Sequence, residues 1–245
     1  MTEQLWSKRA GFSDLRAVLD PNDQRGIKNY YIDLIQKAAL ARHFSIAPSH
    51  VVLDFGCGLG RMSGWLAEHA RLVIGIDLAA EMLRAARQQH SESHLAWVCY
   101  SSGLPLGDEC LDRVLSVGVL QHILGEPALQ ATVAELTRIL KPGGQIALIE
   151  QVRHGQSCVV EGYVEQRPAS EYVTMFRAAG CVSSHVSQVR MPWFLTTLVG
   201  TGFIPRSLLR PLAWFDTRAS QYRKATHTYA DCLFVFQKPR HDAGS

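Results

Sequence analysis

The sequence predicts a doubly wound α/β fold on a mostly parallel, seven-stranded sheet. Three observations carry that expectation. Short apolar runs alternate with helix-spaced segments through residues 51–150, the rhythm of parallel βαβ units. The first run ends in a glycine-rich turn that opens a helix. A composition of 47% hydrophobic and 19% charged residues suits one continuous core with an elaboration, and 245 residues would be cramped as two full domains.

Residues 1–48 are expected to form an N-terminal helical lid. Asp20–Gly26 is rich in turn formers, and Lys28–His43 has helical spacing through Tyr31, Leu34, Ile35, Ala38 and Ala39. Residues 49–152 carry the core. Val51–Phe55 is an apolar strand, followed by a helix over about 60–69, and Leu72–Ile76 is a strand followed by a helix over about 79–90. Leu95–Tyr100 is a third strand, Leu104-Pro105 marks a loop, and Arg113–Val117 is a fourth strand with a helix over about 127–140. Lys141–Gly144 reads as a hard turn before a fifth strand at Gln145–Glu150. Residues 153–238 hold an elaboration and the last strands: a helix over Glu171–Ala179 stopped by Gly180, alternation over Cys181–Val189, and a closing strand at Cys232–Gln237. Between those strands, residues 191–215 are apolar, aromatic and broken by three prolines, an insertion before the last strand.

Bulk properties narrow the function classes. A formal charge of +3 is mild: it leans slightly toward anionic ligands and does not by itself argue for nucleic acid, which would call for a clustered basic face, and no nucleic-acid partner is expected. The N-terminus has no apolar core of a signal peptide and no run is long enough to span a bilayer, so a cytoplasmic protein with at most peripheral membrane contact is expected. The six cysteines form no C-x-x-C pair and have no histidine at zinc-site spacing. They are expected to be reduced thiols, and no metal is expected.

One motif points to a ligand. Asp54-Phe-Gly-Cys-Gly-Leu-Gly60 follows the first strand and opens a helix, where glycines let backbone approach a ligand and helix amides face it. Its spacing differs from the G-x-G-x-x-G fingerprint for a pyrophosphate. Asp77 ends the next strand, where a carboxylate can accept both hydroxyls of a ribose. Either feature alone is equally explained by a tight turn and a helix cap. Their order and spacing together favour a nucleoside-bearing ligand.

VLDFGCGLGRMSGWLAE, VIGIDLAAEML, SGLPLGDECLDRVLSVGVLQHI and LTRILKPGGQIALIE, in that order over about residues 45–152, resemble the class I S-adenosylmethionine-dependent methyltransferases. The likeness is greatest to the branch with ubiquinone and menaquinone biosynthesis enzymes and many sugar and natural-product enzymes. The resemblance implies a Rossmann-like methyltransferase fold with S-adenosylmethionine as cofactor. It implies that Asp54 and the amides around Gly56, Cys57, Gly58 and Gly60 hold the methionine end, Asp77 the ribose, and Leu78 and Met82 the adenine. Where many relatives carry Asp-Ala before the Leu-Pro segment, this chain has Tyr100-Ser101-Ser102, so Ser101, Ser102 or Tyr100 replaces the usual acid at the adenine. Gly118 and His122, after the fourth strand, are implied to line the site beside the acceptor.

Methyl transfer to a hydroxyl needs alignment, exclusion of water and a base. His122 is the first candidate base, since imidazole titrates near neutrality. Glu150 and His154, at and past the end of the fifth strand, are second candidates, against a plain surface role for each. Two regions are expected to build the acceptor pocket: Trp6, Arg25, Lys28, Tyr30 and Tyr31 of the lid, and Trp193, Phe194, Phe203, Trp214 and Phe215 of the insertion. Arg190, Arg206, Arg210, Arg218, Arg223 and Lys224 are interleaved with the latter group. Aromatics beside arginines suit a small-molecule acceptor bearing phosphate or a lipid link. The competing expectation is that the aromatics pack into the core or a dimer contact. KNYYIDLIQ resembles methyltransferases of surface-polysaccharide and glycoconjugate pathways, which favours O-methylation of a sugar or similar polar metabolite. A quinone or polyketide-type aromatic acceptor, and a non-catalytic cofactor-binding protein of the same fold, are the alternatives. A monomer or homodimer is expected.

Overall fold

A computed structural model describes residues 2–12, 14–100, 103–190, 194–220 and 229–240. The alternation read from the sequence becomes β1 (Val51–Phe55), α3 (Arg61–Ala67), β2 (Leu72–Asp77), α4 (Ala80–Gln89), β3 (Leu95–Cys99), β4 (Leu111–Val117), α5 (Glu126–Arg138) and β5 (Leu140–Arg153). Before them come α1 (Thr2–Arg9) and α2 (Ile27–His43). After them come a small hairpin, β6 (Cys158–Val160) and β7 (Val164–Gln166), then α6 (Ala169–Ala178), β8 (Val182–Arg190), α7 (Phe194–Gly200), α8 (Arg206–Ser220) and β9 (Tyr229–Gln237).

The seven-stranded sheet has the order β3-β2-β1-β4-β5-β9-β8. Strands β1 to β5 pair in parallel, and β9 runs antiparallel to both β5 and β8. From β1 the chain winds outward through β2 and β3, then returns to the far side of β1 with β4. The crevice at the carboxyl ends of β1 and β4 is therefore the switch point at which open α/β sheets bind ligands. The glycine loop after β1 and Gly118 after β4 both lie at that edge.

Side-chain alternation explains why both faces are covered. Val51, Leu53 and Phe55 of β1 and Phe234 and Phe236 of β9 join the core under α5 and α6. Val52 of β1 and Leu233 and Val235 of β9 join the opposite core, under α2, α3 and α8. Phe176 stacks on Phe236 with ring centroids 4.2 Å apart, and both are fully buried. Each such side chain contributes on the order of 1.5–3 kcal/mol.

The Lys-Pro-Gly-Gly segment is not a hard turn ahead of the fifth strand. It bulges within β5, between the pairs Leu111↔Leu140 and Arg113↔Gln145. Hydrogen bonds between Gly143 N–H and Lys238 O (2.8 Å) and between Lys238 N–H and Gly144 O (3.1 Å) tie it to the end of β9 and keep the strand continuous.

Candidate active site

The glycine loop is shaped by backbone that only glycine tolerates. Gly56 and Gly58 have φ of +71° and +54°, and a Cβ on them would lie 2.4 Å from Val119 Cγ2 and 2.6 Å from Val18 Cγ1. The loop is then fastened to β2. Gly56 and Cys57 N–H donate to Ile76 O at 2.8 and 3.0 Å, and Gly58 N–H donates to Asp77 Oδ2 at 2.9 Å. Asp77 Oδ1 accepts from Ala79 N–H at 2.9 Å. The helix-cap role and the ligand role weighed for Asp77 are thus compatible. One carboxylate braces loop and helix and still has lone pairs at the cavity edge. Burial raises the Asp77 pKa, opposed by the amides of Ala79 and Gly58.

A cavity of about 100 Å³ opens at this edge, lined by Gly56, Gly58, Asp77, Leu78, Met82, Tyr100, Gly118, Val119, His122 and Ile123. Trp6 and Val18 of the N-terminal segment close its mouth. The parts fit a nucleoside-bearing sulfonium: bare loop backbone, a buried carboxylate, and an apolar slot between Leu78, Met82 and Ile123. Tyr100 stands at the position the acid usually holds. Burial, then the Asp77 charge, pushes its phenol up to about 12, so it is a neutral donor. The cavity is smaller than the roughly 300–1,000 Å³ of ligand pockets. The ligand therefore extends into the neighbouring space or displaces the Trp6–Val18 cover.

The remaining implied cofactor residues sit differently. Asp54 is 2% exposed, accepts from Ser63 Oγ at 2.6 Å and lines neither cavity. Burial pushes its carboxyl up to about 6, against the Ser63 hydrogen bond. Cys57 is buried behind the loop, and Gly60 caps α3 against Trp97 and His90. Ser101, Ser102, Trp193, Arg223 and Lys224 lie outside the described residues.

His122 ends a 3-10 turn, Leu120–His122, that follows β4. Its Nδ1 lies 2.9 Å from the Tyr163 carbonyl. A carbonyl only accepts, so Nδ1 carries the proton and the Nε2 lone pair faces the Gln121 side-chain amide at 3.5 Å. Tyr163 also stacks on the ring with centroids 5.7 Å apart, and Trp6 meets it edge-on at 5.0 Å. Burial lowers the His122 pKa, so the imidazole is neutral near pH 7.

Glu150 does not belong to the surface. It is 1% exposed, and its oxygens accept from Val119, Leu120 and Gln121 N–H at 3.1, 2.9 and 3.1 Å. Burial pushes it up to about 7, opposed by those amides. The role this geometry gives it is to cap the turn that presents His122. His154 is exposed and lines neither cavity.

A second cavity of about 500 Å³ adjoins the first, sharing Trp6, Val18, Val117, Gly118 and His122. Arg9, Lys28, Arg61 and Arg190 line it with Asp20, Asn22, Gln36, Gln121, Gln151, Glu161 and Asp231. Lys28 pairs with Asp20 at 2.5 Å, Arg61 with Asp33 at 2.8 Å, and Arg190 with Asp231. Arg9 lies over the Trp6 ring at 5.2 Å and makes no close ion pair among the described residues.

The expected acceptor residues divide. Trp6 and Lys28 line the cavity, whereas Tyr31 is buried and donates to Asp216 Oδ2 at 3.1 Å. Arg25 Nη1 donates to Thr201 O at 2.5 Å, and Tyr30 borders a separate groove. Phe203, Trp214 and Phe215 are neither pocket wall nor core: they are 87%, 55% and 60% exposed. The β6–β7 hairpin, which brings Tyr163 to His122, was not anticipated. Its signal was Glu161-Gly162, a pair at positive φ between apolar runs.

Comparison with known proteins agrees with this geometry. Residues 53–148 match a family described as a methyltransferase domain. The chain is 37% identical over 120 residues to a malonyl-[acyl-carrier protein] O-methyltransferase of Pectobacterium atrosepticum, covering 46% of this chain and 44% of that protein. It is 26% identical over 125 residues to a demethylmenaquinone methyltransferase of Tropheryma whipplei, covering 51% of each. The chain thus spans about half the length of these curated relatives. Geranyl diphosphate C-methyltransferase from Streptomyces coelicolor, solved with S-adenosyl-L-homocysteine, has the same fold at a TM-score of 0.62 and 16% identity, covering 83% of this chain and 78% of that one. Residues 53–148 therefore match a methyltransferase domain, carried on the fold of a methyltransferase solved with S-adenosyl-L-homocysteine.

Proposed function

We propose that this chain transfers the methyl group of S-adenosylmethionine to a hydroxyl oxygen of a small polar acceptor, a sugar or related metabolite able to carry a phosphate. The polar lining of the larger cavity beyond His122 carries this reading. Asn22 and the side-chain amide nitrogens of Gln36, Gln121 and Gln151 line it, and Arg9, which interacts with Asp20 across the cavity without a close ion pair, adds a cation. A flat apolar acceptor would desolvate this polar lining without offering its amide nitrogens an acceptor, at about 1–3 kcal/mol for a donor left unpaired. The likeness to a demethylmenaquinone methyltransferase favours the second reading, a quinone-type acceptor.

Bound in the smaller cavity, S-adenosylmethionine supplies an electrophilic methyl group on a sulfonium. Asp77 and the close, side-chain-free backbone of the glycine loop would hold and orient it, and Trp6 and Val18 would exclude water. His122, neutral and with Nδ1 held by Tyr163 O, takes at Nε2 the proton that the acceptor hydroxyl gives up, the hydroxyl replacing the long contact from the Gln121 amide. Glu150 positions His122 by capping its turn.

The test is label transfer from methyl-labelled S-adenosylmethionine to two acceptor panels, phosphorylated and free sugars against prenylated quinols. Label is expected in the sugar panel. His122→Gln is expected to lower turnover about 10²–10⁴-fold while S-adenosylhomocysteine affinity is unchanged. Label confined to prenylated or aromatic material, or full turnover by His122→Gln, would overturn the reading.

A further inference from the structure

We propose that α8 and the loop before it form a docking surface for an anionic lipid bilayer. The three large aromatics most exposed among the described residues, Phe203, Trp214 and Phe215, all fall on this one segment, and Leu208 beside them is 53% exposed. At 100° per residue, Leu209, Ala213, Asp216, Thr217 and Ser220 share the arc that packs on the protein. Leu208, Pro211, Trp214, Phe215 and Arg218 share the opposite arc. The inward arc is covered, whereas the apolar side chains of the outer arc are exposed among the described residues.

Charge selects the occupant. Arg210 is exposed on the side of the helix between the two arcs, Arg206 is exposed in its first turn where it borders a groove with Asp14 and Tyr30, and Arg218, on the outer arc, lies over the Trp214 ring at 3.6 Å. None of the three pairs with a carboxylate among the described residues. The one carboxylate of α8, Asp216, is 3% exposed and faces inward to Tyr31 and Ser220. The outer surface thus carries cations of one sign with protruding tryptophan and phenylalanine, the composition of a helix lying in a headgroup layer. A protein partner of ordinary composition would find no carboxylate there to pair with its own cations. Among the described residues no helix is long and apolar enough to cross a membrane, so the contact is interfacial. Arg25, through its hydrogen bond to Thr201 O, ties the loop before α8 to the start of α2, whose Lys28 and Ile32 line the larger cavity.

Co-sedimentation of the full chain with phosphatidylcholine vesicles, with and without phosphatidylglycerol, tests this. Binding is expected only to the anionic vesicles and is expected to weaken as ionic strength rises. Arg206→Gln with Arg210→Gln is expected to lower partitioning about thirtyfold, about fivefold for each charge removed near the surface. Phe203→Ser with Phe215→Ser is expected to abolish it. These side chains are exposed, so S-adenosylhomocysteine affinity and circular dichroism should match wild type, which separates loss of docking from loss of fold or of the cofactor site. Three results would overturn the proposal: no binding of wild type to anionic vesicles, variants that bind as wild type does, or self-association in solution that the Phe203→Ser, Phe215→Ser pair dissolves in a chain that ignores vesicles.

Discussion

Gly58→Ala should be costly for two separable reasons, and one of them should be curable from a distance. The native φ of +54° strains any residue with a Cβ by about 1–2 kcal/mol. The added carbon would also sit 2.6 Å from Val18 Cγ1, an overlap that forces the N-terminal segment off the loop and costs about 1–3 kcal/mol more. The single substitution is therefore expected to destabilise by about 2–5 kcal/mol. At about 2–4 °C per kcal/mol for a chain of this size, Tm falls by about 4–20 °C. Val18→Ala alone removes two half-buried carbons and is expected to cost about 1 kcal/mol. In the double variant the obstructing Cγ1 is gone, and Val18 Cβ lies 3.9 Å from the new carbon, an ordinary contact. The pair should therefore be less destabilised than the sum of its parts by about 1–3 kcal/mol. Calorimetric unfolding of all four proteins measures this coupling. Effects that add to within about 0.5 kcal/mol would show that Val18 does not rest on the glycine loop, and the cover drawn over the cofactor cavity would fail with it.

Asp77→Asn keeps one carbonyl for Gly58 or Ala79 N–H and turns its amide against the other donor; S-adenosylhomocysteine affinity is expected to fall about 10–100-fold with the loss of a charge-assisted hydrogen bond. Unchanged affinity by titration calorimetry would remove Asp77 from ligand contact. His43 stacks on His185 at 3.6 Å, and burial, then His185, lowers its pKa to about 4, below the ordinary value of about 6.5 kept by the unfolded chain. As pH falls the unfolded chain takes the proton first, so this contribution is present above about pH 6.5 and is lost towards pH 4. His43→Phe, which keeps the stack without the charge, should flatten the fall in Tm over that window, and parallel wild-type and variant curves would refute it.

The parts of the site that were legible in the sequence are those whose chemistry is local. Gly56, Gly58 and Asp77 could be placed because a turn at positive φ and a strand-end carboxylate are written by residue type within a few positions. Glu150 shows where that kind of legibility stops. A carboxylate near a strand end reads equally as a base, a cap or a surface charge, and only the pairing of β4 with β5 brings it under the amides of residues 119–121, some thirty positions away in sequence. Tyr163 was illegible for the same reason, since its contribution to His122 is a backbone carbonyl and side-chain identity says nothing about where a carbonyl points. The insertion before β9 failed in a different way. Phe203, Trp214 and Phe215 look like pocket wall because aromatics beside arginines suit a ligand, yet α8 can turn only one of its arcs toward the protein. Leu209 and Ala213 against α2 and β8 occupy the inward arc. The aromatics are thereby turned outward by the register of α8, and a sequence pattern that could have served the acceptor instead presents a face to whatever lies outside the molecule.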